Sequence, residues 1–191
     1  MFTPIIVWIR NLHVTRVTKH AFLNIFIPIL IDNPMNDEFD ALVHEVFSSL
    51  MEFRPDLATI LGLHQYDTQM PSGTKESHLR FIGSIEKYLS EFQHIQKEAL
   101  LPDRQIDRNL MISILKYHLL KEGEIRQWEK DPDLADIIGF ALMPLFSREF
   151  APFEKRLRSI VGRLARCPQF IEEFKTRIEK PVALWRDIAV E

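Results

Sequence analysis

The chain has 191 residues, with 24 Lys and Arg against 27 Asp and Glu, a net charge of −3 and a pI near 6.2. Apolar residues at 46% and charged residues at 27% exclude a disordered or collagen-like chain, and the length fits one domain. The absence of a basic excess argues against a dedicated nucleic-acid binder, and the single Cys167 excludes an internal disulfide framework.

Residues 1–34 stand apart. They carry Arg10, Arg16 and Lys19 against Asp32 alone, and two apolar runs, Pro4 to Ile9 and Ala21 to Ile31. The second run contains Asn24 and Pro28 and falls short of the roughly 18 apolar residues a membrane-spanning helix needs. The Ile31-Asp32-Asn33-Pro34 stretch offers no small-residue cleavage site. The segment reads as a leader extension outside the fold, with a membrane-associating leader as the alternative and residues 35–191 as the domain.

From residue 36 onward the apolar spacing is helical. Phe39, Leu42, Val43, Val46, Phe47 and Leu50 form one stripe, with Asn36 or Asp37 as the cap. Pro55 to Leu61 predicts a short helix with proline at its first position, closed by Gly62, and Leu63 to Gly73 reads as a loop. A long helix follows with Leu79, Ile82, Ile85, Leu89, Phe92 and Ile95 on one face, broken at Pro102. The next places Ile106, Leu110, Ile114 and Tyr117 together, widened by Met111 and Leu115 and weakened at Gly123. Leu134 to Leu145, interrupted by Pro144, predicts a fifth helix. Phe153, Leu157, Ile160, Val161 and Leu164 predict a sixth, and Phe170 to Ile178 a seventh. Pro181 starts an eighth, with Val182, Leu184, Trp185 and Ile188 uncovered as the chain reaches Glu191, a pattern expected of a fragment of a longer protein. The fold expected is an all-α irregular bundle of about seven or eight helices.

The chemistry-bearing residues are few. His44-Glu45 resembles the start of a zinc-peptidase helix, but that motif needs a second His four residues after the first, and Ser48 stands there. His64, Tyr66 and Asp67 share the first loop, where an Asp can orient a His, so they are the substrate-cleft candidates. His78, His94 and His118 sit singly on helices without ligand spacing, and Cys167 lacks a partner motif. Arg156 and Arg163, two helical turns apart beside the core stripe, are expected to form structural ion pairs, with Asp107 a candidate partner; an anion site is the alternative.

Pro55-Asp56-Leu57-Ala58-Thr59, then Gly62-Leu63-His64-Gln65-Tyr66-Asp67, resembles the "domain of unknown function 885" family of bacterial and archaeal proteins. Trp128 with Asp131-Pro132, Phe150 to Leu157, Arg163-Leu164, Pro168 and Glu179 to Trp185 continue the likeness in the same order over roughly residues 36–191. The resemblance implies longer, zinc-metallopeptidase-like hydrolases whose zinc ligands and general base lie in the second half of the chain. By that likeness this chain is a non-catalytic N-terminal part, cytoplasmic, with no catalytic residue and no metal ligand of its own. It implies zinc only in the missing C-terminal half, and that half as the partner. A free-standing helical interaction module is the second reading, with self-association through the exposed C-terminal helix. A metal site built from His44, Glu45 and His64 is the third.

Overall fold

The computed structural model describes residues 34–190, with side chains from residue 37 to residue 189. The fold is all-α: eight α-helices, and no strand among the described residues. None of these helices is long and apolar enough to cross a membrane. The leader expected at 1–34 lies outside the described residues, except Pro34.

Helix α1 (Pro34–Phe53) starts at its proline, ahead of the Asn36–Asp37 cap that was expected; proline suits a first helical position. Helix α2 (Pro55–Ile60) also begins on proline. It closes as the sequence predicts: Gly62 takes φ 84°, its N–H donates to the Thr59 carbonyl at 3.0 Å, and the Leu63 N–H donates to Ala58 at 2.9 Å. This left-handed closure turns the chain into the His64–Tyr66 3₁₀ turn.

Helix α3 (Lys75–His94) is capped by the Thr74 hydroxyl, which accepts from the Ser77 N–H at 3.2 Å. It packs along α1 and along α4 (Pro102–His118). Phe39, Val43 and Val46 from α1, Phe81, Ile85 and Phe92 from α3, and Met111 and Leu115 from α4 form the main core. A second cluster of Met51, Ala58, Leu61 and Leu63 lies under α2.

The stripe on α4 differs from the expected one. Met111 and Leu115 are buried, whereas Ile106, Leu110 and Tyr117 face solvent. The pattern supports two adjacent apolar faces, and α3 covers only one. Past His118 the helix widens into a π-turn, Leu119–Ile125, ending at Arg126 in the left-handed region (φ 50°). The extra residue in that turn shifts the phase and carries Glu122 into the interior.

Helices α5 (Leu134–Ser147) and α6 (Phe153–Leu164) pack on each other, with α5 also on α2. Here too the expectation needs correction: of the predicted α6 stripe only Ile160 is buried, and Phe153, Leu157, Val161 and Leu164 are exposed. Phe140, Met143 and Phe146 of α5 are exposed as well. Helix α7 (Cys167–Arg177) returns to the body, and α8 (Ala183–Val190) follows with Leu184 and Ile188 exposed and Trp185 half-buried.

Candidate functional site

Arg163 is the largest fully buried side chain, at 0% exposure. From α6 its guanidinium reaches three elements at once: α2, the His64–Tyr66 turn and α5. Nη2 donates to the Thr59 hydroxyl at 2.8 Å, the Tyr66 carbonyl at 3.0 Å and the Pro55 carbonyl at 3.4 Å, and Nη1 to the Ala141 carbonyl. Burial pulls its pKa down, partly offset by the nearby carboxylates of Asp67 and Asp56. Arg148 donates to the Ile60 carbonyl at 2.6 Å, and Arg156 to Ala151, Leu145 and Phe146 at 3.0–3.2 Å. Arg148 and Arg156 thus clamp carbonyls near the C-terminal ends of α2 and α5, and Arg163 ties the interior of α5 to α2 and the loop.

The pairing expected of Arg156 and Arg163 with Asp107 does not form. Asp107 pairs with Arg104 one turn away, at 3.3 Å, and Arg104 also holds Asp40 at 3.3 Å. Asp107 belongs to the α1–α4 side of the molecule, whereas Arg156 and Arg163 face α2 and α5. Sequence spacing along one helix could not reveal which element lay opposite.

The loop held by Arg163 carries the predicted candidates. Asp67 is buried, and its Oδ2 lies 3.0 Å from His64 Nδ1. The His64 ring stacks on Phe150, centroids 4.0 Å apart and planes 12° from parallel. Nδ1–H donates to the carboxylate, so in the neutral ring Nε2 carries the lone pair. His64 is partly exposed, with 36% of its side chain accessible. Asp67 Oδ1 has no hydrogen-bond partner among the described residues. Tyr66 contributes its carbonyl to Arg163 and its ring to the α2 cluster. The arrangement presents an oriented imidazole whose outer nitrogen can accept a hydrogen bond or a proton.

A second polar cluster escaped the sequence reading. His78 stacks on Trp128 (4.6 Å, 11°) and meets Phe53 edge-on at 5.1 Å. Arg177 Nη1 donates to its Nε2 at 2.8 Å, so Nδ1 bears the hydrogen and donates to Glu122 at 3.2 Å. Burial, with the Arg177 charge beside it, pushes the His78 pKa down and outweighs the Glu122 carboxylate. Burial works against the charge of Glu122, but the hydrogen bond from His78 and the neighbouring cations hold its pKa below the usual range. Burial also pushes Arg177 down to about 10. His78 stands 44 residues from Glu122 and 99 from Arg177; no local spacing signals the cluster.

A zinc ion does not fit the residues present. Among the described residues no group of three His, Cys, Asp or Glu side chains could hold a metal. His44 and Glu45 are exposed on α1, and His64 is committed to Asp67. Cys167 is buried, with its thiol pKa raised by burial and its Sγ 3.6 Å from the Arg163 carbonyl.

No curated protein and no solved structure matches the chain. A family model described as "Bacterial protein of unknown function (DUF885)" matches residues 55–189, from the first residue of α2 into α8. That stretch contains the whole Arg163 clamp, the His64–Asp67 loop and His78, Glu122, Trp128 and Arg177 of the second cluster, and the chain belongs to this DUF885 family.

Proposed function

We propose that the chain is the non-catalytic helical N-terminal part of a zinc-dependent, peptidase-like hydrolase. It packs on the catalytic half and walls one side of the cleft with the His64–Tyr66–Asp67 loop. The zinc and the reacting groups belong to that other half, the setting is cytoplasmic, and the chain alone hydrolyses nothing. The observation that carries this reading is the apolar face of α5 and α6. Met143 and Phe146 of α5 and Phe153 and Val161 of α6 are all exposed on two helices that pack together, and extensive exposed apolar surface is what interaction sites present. Phe150, which stacks on His64, belongs to the segment that joins these two helices, so the loop is tied directly to that pair.

The test is binding in trans. The second half of a DUF885 protein, expressed separately, is expected to co-purify with this chain. Met143→Glu with Phe153→Glu should abolish binding without lowering the melting temperature, because both side chains are already exposed. Absence of binding by the unmodified chain sinks the reading in favour of a free-standing interaction module. So does chelator-sensitive peptide hydrolysis by the isolated chain.

A further inference from the structure

Helix α4 carries a second uncovered face, separate from α5 and α6. Ile106 is 67% exposed, Leu110 36%, Tyr117 58% and Leu120, in the following π-turn, 47%. With Ser113 these positions recur at intervals of four, three, four and three, which keeps them within one narrow stripe. That spacing is the seam of a helix pair, not of a helix lying on a broad core. Ser113 is also exposed, and its hydroxyl already donates to the Asn109 carbonyl at 2.8 Å, so covering it leaves no donor unpaired.

The charges beside the stripe choose the occupant. Asp103 stands in the first turn of α4 and Lys116 in the last, with Lys121 just beyond. Asp103 and Lys121 border the same side of the seam. The remaining charges of the first turns are already engaged on the protein's own side: Arg104 with Asp40 and Asp107, and Arg108 with the Gln93 carbonyl; Lys121 stands 4.0 Å from Glu122, at the outer limit of an ion pair, with its side chain 36% exposed. An identical helix laid antiparallel sets Ile106 against the partner's Tyr117 and Leu110 against the small Ser113 of the second copy. The same register brings Asp103 within about one residue rise, ~1.5 Å along the axis, of the partner's Lys121. The two-fold axis repeats every one of these contacts, as a closed isologous interface requires. A parallel mate would keep Asp103 and the partner's Lys121 about 27 Å apart along the axis, so this pair would not form.

We infer that the exposed stripe of α4 is the interface for a second copy of this chain, joined antiparallel about a two-fold axis near Met111 and Ile112. The dimer leaves the α5–α6 face free, so it is independent of the function proposed above.

Light scattering after size exclusion, on the full 191-residue chain at tens of micromolar, is expected to give the mass of a dimer. Ile106→Glu and Tyr117→Glu should each give a folded, cooperatively melting monomer whose melting temperature no longer depends on protein concentration. Asp103→Lys should raise the dissociation constant about tenfold, since the axis repeats the broken pair, and adding Lys121→Asp should restore it. Ser113→Cys should be joined to its mate by a short bifunctional maleimide, while Cys167 stays buried. A monomeric wild-type chain overturns the proposal, including one that dimerises only when residues 1–33 are removed, because that segment would then occupy the stripe. A dimer indifferent to both glutamate substitutions overturns it equally, by placing the interface elsewhere.

Discussion

His64 and His78 each give an Nδ1–H to a carboxylate, at 3.0 and 3.2 Å, and they differ in what the other nitrogen meets. Arg177 occupies the outer nitrogen of His78, and Trp128 and Phe53 close over its ring. His64 is covered on one face by Phe150 and remains partly open. A His–carboxylate pair is thus two different devices according to its second nitrogen. Capped, it is a rivet between α3, the π-turn and α7. Open, it is an oriented group at the surface, and it keeps that orientation only because the loop beneath it is pinned by Arg163.

Removing that pin is the largest expected break. Arg163→Met leaves the Thr59 hydroxyl and the carbonyls of Tyr66, Pro55 and Ala141 without their shared donor. The Tyr66 carbonyl keeps its Gln69 N–H and the Pro55 carbonyl keeps the Thr59 hydroxyl, so the loss is that of several charge-assisted hydrogen bonds from one buried donor, on the order of 3 kcal/mol. Urea titration should show the fall in midpoint. A variant that melts like the wild type would mean that the loop, and His64 with it, is held by something else.

The capped histidine comes next. His78→Phe strands Glu122 and Arg177 and should cost about 2–3 kcal/mol at neutral pH. The pH dependence sharpens the contrast. The folded pKa of His78 lies below its ordinary value of 6.5, so the unfolded chain binds the proton first. Its contribution to stability is complete above pH 6.5 and is lost as the pH falls through the folded value, when a protonated Nε2 would oppose Arg177. Thermal melts taken downward from pH 7 should show this loss in the wild type and lack that component in His78→Phe. An unchanged profile would dismiss the neutral, doubly bonded ring.

Gly73 tests how α3 and α7 are brought together to cap His78. Its N–H donates to Glu173 at 2.9 Å, and a Cβ there would stand 2.8 Å from both the Glu173 Cβ and the Phe170 carbonyl. Gly73→Ala should therefore cost about 1–2 kcal/mol, read as a lower melting temperature. A neutral result would show that α7 can shift without disturbing the cluster.

The open histidine should matter less, because its ring is itself partly exposed. His64→Ala removes the hydrogen bond to the buried Asp67 carboxylate and should cost about 1 kcal/mol. In the native protein diethyl pyrocarbonate should modify His64 and spare His78 until unfolding, as mapped by mass spectrometry. Equal reaction of the two would erase the distinction.

Local chemistry was enough for several features. The proline start of α2 and the Gly62 closure follow from backbone restrictions that a residue carries wherever it sits, whereas α3, expected to run to Pro102, ends at His94, and Pro102 starts α4 instead. His64 and Asp67 were legible as a pair because three residues separate them on one turn. The order of motifs from Pro55 to Trp185 sufficed for the family. What the sequence could not disclose is which apolar face meets a neighbour. On α4 and α6 the apolar residues span more than one side, and only the placement of α1, α3 and α5 determines that Met111, Leu115 and Ile160 are buried while Ile106 and Phe153 are not. The His78 cluster and the carbonyl clamp of Arg163 were equally hidden. Their partners are 22 to 108 residues away, and such contacts form only when packing brings separate helices together.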